Sequence, residues 1–316
     1  MVFAKDVTSP NYVFKSRTTL VEVWLPKEIS AIGRESFYGC TSMSKIGNGK
    51  FDNVTTIGAL AFNNTSSLKQ ELTFPVLTSV PLNNNSGNIL TNSAVEIFNA
   101  PNLTALASGW GGGLGIFGSA KNLRKVKLGK FTEIQHRMFD SSGIEELPDM
   151  SEVLTINYSA FNNCTKLGGD LILPKCTIIK AKNTDNVNDA FISTKIKSVY
   201  APVLLSIGDS VSSTTTNSDH GVFVKCNELK KVYLRDIEVM SNCSFSQCTA
   251  LESFIVDNVT PPAIGTNVFY KDNNLTIYVP DSAVDAYKSA SNWTTWASRI
   301  KGFSAAPASL RAEYNF

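Results

Sequence analysis

The residues of this 316-residue chain that could do covalent or metal chemistry are two histidines, six cysteines and one short acidic group. A nucleophile needs a base within hydrogen-bond reach, and a structural zinc needs paired thiols or thiols with histidines. His136 and His220 lie far apart, and neither joins a serine, cysteine or aspartate in a recognisable nucleophilic spacing. Cys40, Cys164, Cys226 and Cys248 each stand three residues after a phenylalanine, while Cys176 and Cys243 are single, so no C-x-x-C pair is present. Glu145, Glu146 and Asp149 form the one close acidic group, beside a turn at Pro148. Gly109 to Gly115 is glycine-rich but lacks the Lys-Ser/Thr of a phosphate-cradling loop. These patterns predict no enzyme, no cofactor and no metal.

The element that positions the cysteines is a repeat. The skeleton F-x-x-C-x-x-L-x-x-V-x-L, seen in Phe223 to Leu234, returns on anchors at Phe14, Phe37, Phe62, Leu90, Phe117, Phe139, Phe161, Phe191, Phe223, Phe245 and Phe269. The gaps run from 22 to 32 residues, a period that marks a stacked array. Three residues after the anchor, the cysteines share a column with Thr65, Ser93, Ala120, Ser142 and Thr194, which makes them small buried side chains rather than ligands. Apolar columns follow at about six residues (Met43, Leu68, Leu123, Leu167, Leu229, Leu251, Leu275) and nine (Val23, Ile46, Phe98, Val126, Leu147, Val199, Val232, Phe254, Tyr278). Another precedes the anchor by five: Ile32, Ile57, Ile134, Ile156, Met240 and Ile264. Four inward residues per unit fit one coil of a solenoid, whose apolar edge is buried only by stacking on its neighbours.

The L-x-x-V-x-L segments have strand composition, one per coil, and would line up as a parallel sheet on a concave face. Alternation sends the residue between the last two apolar positions to solvent. That row reads Trp24, Thr73, Asn99, Lys127, Pro148, Ile172, Tyr200, Tyr233 and Ile255. Its apolar and aromatic members, Trp24, Ile172, Tyr200, Tyr233 and Ile255, are candidate ligand-binding residues, because contiguous exposed apolar residues mark interfaces. The other reading is that neighbouring insertions fold over this face and bury it.

The run I-G-x-x-x-F-x-x-C-x-x-L-x-x-V-x-L-P resembles the BspA-like leucine-rich repeat, a family of bacterial surface and host-interaction proteins. Ile32-Gly33 to Cys40, Ile57-Gly58 to Phe62 and Ile264-Gly265 to Phe269 carry its signature. Thr260-Pro261-Pro262, then Val279-Pro280 to Lys288 with Trp293, Trp296 and Ile300, resembles its terminal cap. The resemblance implies a repeat solenoid, mostly β, of about eleven coils with a short C-terminal capping helix. It also implies a habit of binding, and supplies no catalytic motif.

The expected organisation is an N-terminal extension or cap at 1–13, the solenoid at 14–279, a cap with helix at 280–303 and a tail at 304–316. Asp281 or Ser282 could cap the helix, whose Val284, Tyr287 and Ala290 share a face. The tail reads as linker or docking segment. Insertions ahead of four anchors, at 81–89, 107–116, 180–190 and 208–222, are rich in Gly, Asn, Ser, Thr or Asp, and are either a binding edge or drift in surface loops. Trp110 amid glycines is a further candidate contact. The N-x-S/T triplets at Asn53, Asn102, Asn258, Asn274 and Asn292 are expected from Asn/Thr-rich turns.

A net charge of +2 argues against nucleic acid and anionic membrane, and no segment is long and apolar enough to span a bilayer. Residues 1–6 lack the basic and apolar regions of a signal peptide. The expected function is a non-catalytic recognition or adhesion module for protein or glycan. It would be extracellular or at the cell surface if a signal peptide was trimmed, and cytoplasmic or virion-associated otherwise. The alternative is a structural component of an assembly, such as a phage virion or tail protein, with self-association or a neighbouring chain at the uncovered first coil.

Overall fold

A short strand, a glycine and a left-handed turn lead into the anchors Phe37, Phe62 and Phe269, and Gln135, Asn157 and Ser241 take the glycine's place ahead of Phe139, Phe161 and Phe245. The computed structural model describes residues 11–78, 80, 81, 87–104, 106, 115–181, 190–208 and 220–316. Trp110 and most of the four insertions lie outside the described residues. The residue two after the anchor is left-handed in all eleven coils, from Ser16 to Lys271, with φ between +53° and +72°. That conformation costs a non-glycine residue about 1–2 kcal/mol, so something must offset it. Here it turns the N–H along the stacking direction. Gly39 donates to the Asn63 carbonyl at 2.9 Å and Lys225 to that of Ser246 at 3.1 Å. The anchors do the same, Phe37 to Ala61 at 2.9 Å and Phe223 to Ser244 at 2.7 Å. The turns therefore form coil-to-coil ladders of their own, which satisfies backbone that would otherwise be buried unpaired.

The chain divides into two compact units, Met1–Asp149 with Asn163–Leu167, and Met150–Asn162 with Gly168–Phe316. Both are parallel β-solenoids of strand and turn. In the first, Glu22–Val23 pairs with Lys45–Ile46, and Ala31–Ile32 with Thr56–Ile57. A three-stranded sheet there runs Leu72–Thr73, Ile97–Ala100, Lys125–Leu128. In the second, one sheet runs Gly168–Ile172, Lys195–Ala201, Lys231–Leu234, Ser253–Val256, Thr276–Val279 and Ile300–Gly302. Thr155–Ile156, Ile178–Ile179, Ser206–Ile207, Val239–Met240 and Ala263–Ile264 pair successively beside it.

Every anchor from Phe14 to Phe269 is buried. Phe14, Phe37 and Phe62 stack at 5.3 and 5.4 Å, and Phe161, Phe191, Phe223 and Phe245 at 5.0 to 5.1 Å, with interplanar angles of 12° or less. The Ile-Gly signature has a steric cause. A Cβ on Gly58 would lie 2.4 Å from the Arg34 backbone nitrogen, and one on Gly265 at 2.4 Å from that of Asn242. Only glycine lets successive coils approach this closely.

The spacing misplaces Tyr278 and Pro148, and also Leu147, which was assigned inward but is half-buried. Tyr278 does not share the inward column: Ile277 pairs with Phe254, and Tyr278 pairs with Ile255 on the outward row. The last coil is one residue shorter than the skeleton. Pro148, assigned outward, is buried, and no strand forms between Ser142 and Met150, since proline has no N–H to give a ladder.

At the C-terminus, a 3-10 turn at Asp281–Ala283 leads into helix α1, Val284–Ser289. No side chain caps either element, which corrects the expectation for Asp281 and Ser282. Tyr287 and Trp293 are fully buried over the last coil, their OH and Nε1 donating to the carbonyls of Asn258 and Pro262 at 3.0 and 2.9 Å.

Candidate functional site

The thiol column is structural. The Sγ of Cys40, Cys164, Cys226 and Cys248 donate to the carbonyls of Phe14, Phe139, Phe191 and Phe223 at 2.9 to 3.1 Å, each the preceding anchor. All six cysteines are buried thiols, and burial pushes Cys164 and Cys176 up to about 12. At Cys164 and Cys176 a thiol held neutral is neither a nucleophile nor a ligand. His136 and His220 are half-buried. Among the described residues no three His, Cys, Asp or Glu side chains gather to hold a metal ion.

The outward strand positions have the surface chemistry. In the first unit Trp24 is 55% exposed. Its Nε1 donates to Glu22 Oε1 at 2.8 Å, and Lys45 Nζ lies 5.1 Å from the ring centroid. Lys45 also bonds Glu22 at 2.9 Å and holds that carboxyl below the usual carboxylate range. The indole is thus oriented while its face stays in water. Farther along this unit the row turns polar, with Thr73 and Asn99 half-buried and Lys127 exposed and within 3.6 Å of Glu71.

In the second unit the register Ile172, Tyr200, Tyr233, Ile255, Tyr278 is continuous across five strands. Ile172 is 55% exposed, and Tyr200 is half-buried. Tyr233 is only 5% exposed and Ile255 not at all, so these two candidates, although on the outward row, are not open to a ligand here.

The cover is the tail. Leu310 of helix α2, Ala308–Tyr314, and Ala306 ahead of it pack against Tyr233, Ile255 and Tyr278, with Phe303, Tyr314 and Phe316 at the margin. The Tyr314 ring stacks on Tyr233 at 5.0 Å and 4°, and lies 6.1 Å from Tyr200, itself stacked on Tyr233 at 5.3 Å. Burial beside Asp257 pushes the Tyr233 phenol up to about 12. Lys231 Nζ pairs with Glu313 at 2.6 Å. Asp281, freed from capping, accepts from Ser304 N at 3.2 Å and Oγ at 2.7 Å, which fixes the point where the tail departs. Sequence reading left the tail as linker or docking segment; Leu310 and Tyr314 at i, i+4 are the residues that decide for docking.

A family model described as a BspA type leucine-rich-repeat region of six copies matches residues 7–108, 52–168, 113–218 and 187–291. No curated protein matches the chain. Among solved structures, a leucine-rich cell surface protein from Faecalibacterium prausnitzii A2-165 is 20% identical, with 99% of this chain and 89% of that one covered and a TM-score of 0.43. A leucine-rich-repeat protein from Bacteroides ovatus ATCC 8483 is 16% identical, with 94% and 88% covered and a TM-score of 0.49.

Proposed function

The chain belongs to the BspA-type leucine-rich-repeat family, and from that premise we propose that it is a non-catalytic recognition module, working at a cell surface on protein or glycan. The observation that carries the reading is the placement of large apolar side chains outside a core that is already closed. Trp24 and Ile172 are each more than half exposed, while their strand neighbours Val23, Leu171 and Leu173 are buried. An indole face or a sec-butyl group left in water is apolar area that a partner can bury. No helix among the described residues is long and apolar enough to cross a membrane.

The test is binding of the purified chain to glycan and host-protein arrays, with Trp24→Ala and Ile172→Ser measured separately. The expected result is a loss of at least tenfold in signal from one or both variants with melting temperatures within about 2 °C of the parent. Binding indifferent to both substitutions would remove the reading.

A further inference from the structure

The covered strands of the second unit have a closed core on their other face. The inward residues of the covered strands, Val199, Val232, Phe254 and Ile277, are fully buried on the opposite face. The covered residues Tyr233, Ile255 and Tyr278 stand where alternation points outward. After Ile300–Gly302 the tail adds no strand. It consists of a 3-10 turn at Phe303–Ala305 and the seven-residue α2, and a helix that short is not stable alone in water. The face therefore induces the helix. Its ion pair among the described residues, Lys231–Glu313, has both side chains about 40% exposed, and such pairs contribute little. A terminal element without ladder hydrogen bonds to the sheet opens before the coils beneath it.

We propose that this face is a groove for a short amphipathic helical peptide, and that the chain's own tail is a displaceable strap lying in it. The proposal rests on the recognition reading above and gives part of that surface a partner class. The strap shows the chemistry the groove accepts. Leu310 and Tyr314 lie one turn apart with Glu313 beside them, so the ligand presents an aliphatic residue, then an aromatic one at i+4, with a carboxylate for Lys231. The aromatic ring enters the Tyr200–Tyr233 stack as Tyr314 does. This is the helix-in-groove mode on a sheet face. Ser304, held by Asp281, is the fixed point, and residues from Ala305 onward are the part that leaves.

The experiment uses the full chain and a fluorescein-labelled peptide of residues 303–316, followed by fluorescence anisotropy. The wild-type chain should bind the peptide weakly, because its own tail competes. A full-length Tyr314→Ala chain should bind at least tenfold more tightly, and a peptide carrying the same substitution should bind neither. Equal affinity for both chains, or no saturable binding to either, overturns the proposal. Should Tyr314→Ala fail to fold, hydrogen exchange on the wild type decides. Amides of 308–314 should exchange at least a hundredfold faster than those of 231–234 and 253–256, and equal protection makes the tail part of the core. A dimer that grows with concentration and vanishes with Tyr314→Ala assigns the groove to a second copy's tail and overturns the strap. Peptide exchange is read without any array ligand, so failure here and failure of the recognition reading are separate results.

Discussion

Asp272 occupies in the last coil the position that Cys226 and Cys248 fill in the two before it. Its carboxyl is buried, and burial pushes it up to about 8, with the Cys248 backbone and Arg299 pulling it down by less. A buried carboxyl that stays protonated in the fold but ionises when unfolded binds more protons folded than unfolded between about pH 4 and pH 8. Stability therefore falls as pH rises through that window, by at most about 1.4 kcal/mol per pH unit from this group, and is flat on either side. Asp272→Asn removes the slope. Its melting temperature should gain on wild type between pH 5 and pH 8, and a constant difference across thermal melts in that range would mean that Asp272 is ionised in the fold. Gly265 is the other residue whose role is local. Gly265→Ala should cost about 1–3 kcal/mol by overpacking against Asn242, read as a shift in the denaturation midpoint. That glycine was legible in the Ile-Gly signature, and the cysteines were legible as small residues because Thr and Ser share their column. The asparagines were legible only as turn residues. In the structure the side-chain amides of Asn53, Asn102, Asn258 and Asn292 donate to carbonyls of Lys27, Pro75, Ile237 and Ile264 at 2.6 to 3.2 Å.

Among the elements, the phenylalanine stack transmits order from coil to coil. Phe191 lies 5.0 Å from Phe161 and 5.1 Å from Phe223, fully buried between them. Phe191→Ala should cost about 3–5 kcal/mol, as large-to-small core changes do. Its hydrogen-exchange protection should fall in the flanking coils as well as its own, and a loss confined to one coil would argue against a shared stack. The anchors could be read from sequence because burial on all sides leaves one large apolar residue type at a near-constant interval. Ile179 and Ile207 could not. They pair with Ile156 and Met240 in the same buried row, but the insertions before Phe191 and Phe223 move them out of the five-residue offset. Tyr278 was misassigned for the converse reason: one residue fewer in its coil shifts the strand by one, and in a strand one residue is the other face. The candidate site suffered the same way. Alternation correctly sends Tyr233 and Ile255 outward, but their burial depends on α2, and two apolar residues four apart in an Ala/Ser-rich segment are too weak a pattern to announce a docked helix.

At the scale of the whole molecule, stability is a sum over neighbouring coils, so the ends matter more than they would in a globular domain. The C-terminal end of the second unit is closed by Trp293, which is fully buried, 4.9 Å from Tyr287 and 6.5 Å from Phe269, and hydrogen-bonded to the Pro262 carbonyl. Trp293→Ala opens a cavity and leaves that carbonyl without its donor. The two losses together place the cost in the range of about 3–5 kcal/mol for a buried tryptophan. In a nearest-neighbour array that cost is felt first by the coil in contact with the cap. Amides of the coil anchored at Phe269 should lose most protection, those at Phe245 less, and those at Phe161 and Phe191 least. Native-state hydrogen exchange with fragment resolution measures this gradient. A uniform loss from Phe161 to Phe269 would show instead that the second unit opens as one cooperative block, with its cap fastening every coil equally.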